Sequence, residues 1–138
     1  AEARTCFDRA RAIKPDDHQS LTGIAICLAV DGQIEQSLRM VDSSESLRQY
    51  GGQQIYLYNV ACVYGRSIEY LRRQPASVEN ELHARAWEQR AMHLLRNATD
   101  RGFADPVLME KDPDLQVLHQ LPEFQQLLVR LRRIQIER

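Results

Sequence analysis

Apolar positions along this chain recur every three or four residues and almost never alternate, a pattern that predicts helices and no strands. Leu21, Ile24, Ala25 and Leu28 form one stripe, and Leu57, Val60, Ala61 and Tyr64 repeat its spacing. After each comes a second kind of stripe, a larger side chain between two small ones: Ser37, Val41 and Ser44, then Ala91, Leu95 and Ala98. Ala3, Phe7 and Ala10, closed by Pro15, make an earlier copy of that second kind. Turn residues fall between them, at Asp31-Gly32, where glycine supplies a left-handed stop, and at Gly51-Gly52, which closes its unit. The pattern predicts successive helix pairs in one domain. Residues 1–15 are the second helix of a truncated pair, 16–50 and 53–102 are whole pairs, and 103–138 form a C-terminal cap.

The pair at 53–102 is too long for its class. Tyr64 and Ala91 are separated by residues 65–90, where a helix-pair repeat of this kind has about 8 residues, leaving roughly 18 in excess. The excess keeps helical spacing through Ile68 and Leu71 and again through Val78, Leu82 and Trp87. Its break is Gln74-Pro75-Ala76-Ser77, with Pro75 to halt one helix and Ser77 to cap the next. The expectation is an elongated hairpin projecting by roughly 13 Å, at 1.5 Å per residue.

Beyond Gly102 the prolines at Asp112-Pro113 and Leu121-Pro122 announce two helix starts, a short one with Leu115 and Leu118 and a longer one with Phe124, Leu127, Leu128 and Leu131. Stacked repeats need such a cap over the last apolar face.

The first stripe falls at the W-x2-L-G-x2-Y spacing and the second at A-x3-F-x2-A, so the chain resembles tetratricopeptide repeats. Tyr58-Asn59 sits where such repeats often carry Tyr-Asn. The closing DPDL…PEF…LL stretch resembles the C-terminal repeat region of bacterial eukaryotic-like serine/threonine protein kinases. The resemblance implies an all-α superhelix of helix-turn-helix repeats with a capping helix, acting as a protein-binding scaffold in a larger bacterial signalling protein. It departs from the family in the hairpin excess and in the degenerate helix over 33–48. The sequence carries no glycine-rich loop, H-R-D or D-F-G, so any kinase activity would belong to another part of a parent protein. Ala1 falls within a helical pattern, and the chain reads as a piece of a longer one.

Composition fits this picture. The chain has 138 residues, 43% apolar and 27% charged, which suits a globular domain and neither a disordered nor a membrane-spanning one. A net charge of −1 with scattered arginines argues against nucleic acid as a partner. Cys6, Cys27 and Cys62 lie among apolar neighbours without a C-x-x-C pair, reading as buried thiols of a cytoplasmic protein.

Candidate chemistry is sparse. Glu110, Asp112, Asp114 and His119 carry metal-ligand residue types, but Asp112 precedes a proline at a helix start and Asp114 lies in a first turn, where carboxylates cap helices. No elbow around a serine or cysteine and no base beside one suggests catalysis. The expectation is therefore no enzyme, no metal and no cofactor. Helical spacing places Gln19, Thr22 and Ile26 on the concave face of the first whole pair, and Ile55, Tyr58, Asn59, Cys62 and Arg66 on that of the second. There Asn59 would bond a bound peptide's backbone, Tyr58 would stack or hydrogen-bond, and Arg66 would pair with a carboxylate. The groove, mixed and partly apolar, would take a peptide or protein segment. The alternative is self-association, through residues 2–14 with Phe7, Ala10 and Ile13, or through the elongated hairpin.

Overall fold

The structure is a computed structural model that describes residues 18–137. Those residues are all-helical and contain no strand. In chain order they form α1 (His18–Val30), α2 (Ile34–Val41), α3 (Ser44–Tyr50), α4 (Gln54–Arg72), α5 (Val78–Asp100), α6 (Pro106–Lys111), a 3-10 helix (Pro113–Leu118) and α7 (Pro122–Glu137). The readings of Ala3, Phe7, Ala10, Ile13 and Pro15 lie outside the described residues. None of the described helices is long and apolar enough to cross a membrane.

Helix α1 ends where glycine permits it. Gly32 adopts φ 87°, and the Gln33 amide turns back to donate to the Leu28 carbonyl. A side chain at this position would also be 2.6 Å from the Tyr70 ring, so the turn is seated directly on α4. The next segment departs from the single helix expected over 33–48. It breaks at Asp42-Ser43, because Ser43 and Ser46 form a reciprocal cap that starts α3 afresh. Two neighbours hold the break in place: the Tyr56 hydroxyl donates to the Val41 carbonyl at 2.5 Å, and the Arg90 guanidinium grips both oxygens of Asp42 at 2.7 and 2.9 Å.

Helices α4 and α5 form the elongated hairpin. Helix α4 stops at Arg72, and Ser77 caps α5 by accepting from the Asn80 amide at 3.0 Å. Ala61, Ala91 and Ala98 are fully buried, and these small side chains let the two backbones approach. Val60, Val63, Ile68, Leu94 and Leu95 fill the space around them. Each large apolar side chain so buried contributes roughly 1.5–3 kcal/mol, which makes this pair the centre of the fold.

The tail holds one more helix than its spacing suggested. Asp105-Pro106 starts α6, Asp105 accepting from the Leu108 amide at 3.0 Å. Met109, Leu115, Leu118, Phe124, Leu128 and Leu131 all point inward, so the tail is core as much as cover. The packing order is regular. Helix α1 lies on α4, and α4 lies on the 3-10 helix, while α1 pairs with α2, α4 with α5, and α6 with α7.

Candidate functional site

The face of α4 that packs neither on α1 nor on α5 is where the sequence placed Tyr58, Cys62 and Arg66 of its groove. It turns toward the chain's own tail. Gly65 makes this approach possible: a Cβ at that position would overlap the Asp114 carbonyl oxygen, so only glycine lets the 3-10 helix lie against α4 here. Phe103 follows Gly102, whose φ of 111° turns the chain back from α5. Its ring then stacks on Tyr58 with centroids 4.5 Å apart.

Around that contact the polar groups close a network. The Tyr58 hydroxyl donates to Asp112 Oδ2 at 2.8 Å, and the Cys62 thiol reaches the same oxygen at 3.7 Å. The other oxygen of Asp112 accepts from the Asp114 amide at 2.9 Å, which caps the 3-10 helix. Arg66 Nε donates to Asp114 Oδ1 at 2.6 Å, and its Nη1 reaches Glu69 at 3.3 Å. Burial pushes the Tyr58 hydroxyl and the Cys62 thiol far above their ordinary ranges, and the neighbouring Asp112 adds to both shifts. The Asp114 carboxyl is also pushed up, by burial first, although Arg66 pulls the other way. Both phenol and thiol therefore stay protonated and act as donors.

The eight groove positions divide into two sets. Gln19 and Ile55 are exposed, and Ile26 and Asn59 are half-buried, so these four retain a solvent-facing surface on α1 and the first turns of α4. The other four are engaged within the chain. Thr22 is buried, its hydroxyl placed 3.1 Å from the His18 and Gln19 carbonyls; Tyr58 and Cys62 are sealed beneath the tail; Arg66 is held by Asp114 and Glu69. An open groove along the whole of α4 is thus corrected to a shorter one, because residues 103–118 occupy its far half. Phe103, Asp112 and Asp114 are the residues the sequence reading left out of this surface. Their signal was faint: Phe103 stands at the proline position of the repeat spacing, and both aspartates look like ordinary caps.

The metal-ligand types are partly assembled. Among the described residues, Cys62, Asp112 and Asp114 bring ligand atoms within 4.8 Å of one another. Donors of the chain already reach two of these groups: Tyr58 and Cys62 bond Asp112 Oδ2, and Arg66 bonds Asp114 Oδ1. His119 lies apart from them, stacked on Phe124 at 4.8 Å. Glu110 pairs with Arg132 on the outside of the tail.

A second polar cluster joins the hairpin to α2. Tyr64 donates to Asp42 Oδ2 at 2.5 Å beside the two Arg90 bonds, and the Asp42 side chain is only 8% exposed. Burial would raise the Asp42 carboxyl, but Arg90 and Tyr64 outweigh it and hold it below its ordinary value. On the far side of the hairpin, Arg72 bridges Glu88 at 3.2 Å and Glu81 at 3.9 Å. Compared with known protein families, curated proteins and solved structures, the chain matches none of them.

Proposed function

We propose that this chain is a non-catalytic, tetratricopeptide-type protein-binding module, whose ligand is a peptide or protein segment laid across α1 and the first turns of α4. The observation that carries the reading is the packing order. The first helices of the two whole pairs lie side by side, α1 on α4, and each is backed by its own second helix. Such an order supports the reading, because stacked helix pairs build an extended binding surface from their first helices. On that face Gln19, Ile26, Ile55 and Asn59 combine two apolar side chains with two amides, a composition suited to an extended segment held through its backbone.

The contribution of Tyr58, Cys62 and Arg66 is then indirect: they fix the tail that ends the groove. A peptide-display selection against the whole chain tests the reading. Selected peptides should lose at least about tenfold in affinity on Ile55→Arg and on Asn59→Ala, a loss of about 1.4 kcal/mol or more. Substitution of the exposed Val107 on α6 to Arg should leave them bound. Peptides indifferent to Ile55 and Asn59 would place ligand recognition elsewhere.

A further inference from the structure

Two glycines lie inside helices among the described residues, and the fold explains one of them. Gly65 admits main chain: the Asp114 carbonyl oxygen occupies the place its side chain would take. Gly23 has no such neighbour. It sits in the middle of α1, is exposed, and no described atom lies within 4 Å of where its Cβ would stand. Alanine at this position would meet nothing and would strengthen the helix, since glycine gives up more backbone freedom on folding.

The neighbours of Gly23 can be placed. The His18 ring meets the Tyr56 ring at 5.9 Å, and further along a side chain at Gly32 would meet Tyr70. Helices α1 and α4 therefore run in the same direction, and Gly23, five residues on from His18, falls alongside Ala61 and within a turn of Asn59. Gly23 also holds in its stripe the place that Asn59 holds in its own, two residues after Leu21 and Leu57. Asn59 is half-buried, and its carboxamide makes no hydrogen bond among the described residues. Charge is absent as well. Asp, Glu, Lys and Arg make up 27% of the chain, yet none occurs in His18–Val30 or in residues 54–65. Charged side chains of a ligand would find no partner on this face.

We infer that Gly23 is where the main chain of an extended, uncharged peptide segment crosses α1. The missing side chain gives the crossing peptide group room, as Gly65 does for the tail, and the Asn59 carboxamide gives it a hydrogen-bond partner. This rests on the groove reading, to which it adds a crossing point and a class of segment.

Titration of the display-selected peptides against Gly23→Ala and Gly23→Ile tests it. Gly23→Ala should raise Tm by about 2–5 °C and still weaken the peptides. Gly23→Ile, whose branched side chain is too stiff to swing aside, should weaken them by about tenfold or more without lowering Tm. A damaged fold would instead lower both. Affinity for the parent chain should change by less than about twofold between about 50 and 500 mM salt. N-methylation of the peptide, one amide at a time, should find a position whose loss is not multiplied further by Gly23→Ile. Peptides that need Ile55 and Asn59 but bind both Gly23 variants as tightly as the parent overturn the inference and leave the groove reading standing. So do a steep salt dependence, or N-methyl losses that multiply with Gly23→Ile at every amide. No enriched peptide, or peptides indifferent to Ile55 and Asn59, would sink the groove reading and this inference together.

Discussion

Asp42 shows how a single side chain can hold a break in a helix. Its carboxylate closes the gap between α2 and α3 by accepting from Arg90 twice and from Tyr64 once, and it is almost out of contact with water. Removing the charge leaves Arg90 without its partner in a half-buried place, and Asp42→Asn should cost about 3 kcal/mol in urea unfolding. The pH dependence follows from the direction of the shift. The folded carboxyl titrates below its ordinary value of 3.8, so the stability it contributes is complete above that value and is lost as pH falls through the lower, folded one. The wild type should therefore lose stability more steeply than Asp42→Asn does as pH falls below 3.8. Equal slopes would mean that another carboxylate governs acid unfolding. Tyr56, nearby, is pushed up to about 12 by burial and stays a donor to the Val41 carbonyl throughout that range.

At the scale of elements, what could be read from the chain followed from whether the signal was local. The α4–α5 hairpin was legible because apolar spacing runs unbroken from Leu57 to Leu71 and from Val78 to Ala98, with Pro75 and Ser77 marking the join. The break at Asp42-Ser43 was not, because the side chains that hold it, Tyr56, Tyr64 and Arg90, lie 15 to 48 residues beyond the groups they bond. Helix α6 was missed although Asp105-Pro106 is as clear a start as Asp112-Pro113. The groove positions illustrate the same limit. Spacing on one helix puts Tyr58, Cys62 and Arg66 on a face, but whether that face is open depends on where the tail lies. Gly65 decides that position. Gly65→Ala should force the 3-10 helix off α4 and cost about 3 kcal/mol, the upper end of overpacking penalties, in the same unfolding assay. Loss of near-ultraviolet signal from the Tyr58–Phe103 stack should accompany it. A variant as stable as the parent would mean that the tail is held by Leu115 and Leu118 alone, free to shift along α4.

Across the whole molecule, the pairs differ in what they depend on. The α4–α5 hairpin joins neighbours in sequence and fixes its own packing, whereas the tail must return over helix α4 from 48 to 54 residues downstream. Local pairings of this kind form readily, and distant ones wait on loop closure. On a ribosome the delay is also a matter of supply, since residues 103–118 emerge several seconds after Cys62 at about 5–20 residues per second. Through that interval the hairpin has a bare flank, with Tyr58 and a thiol on display. Maleimide pulses on stalled nascent chains carrying Cys6→Ser and Cys27→Ser should modify Cys62 when the tail is still inside the exit tunnel, and should fail once residue 118 has cleared it. The burial of one cysteine thus works as a clock, recording when this chain finishes closing on itself and for how long a newborn copy offers a surface that the mature protein never shows.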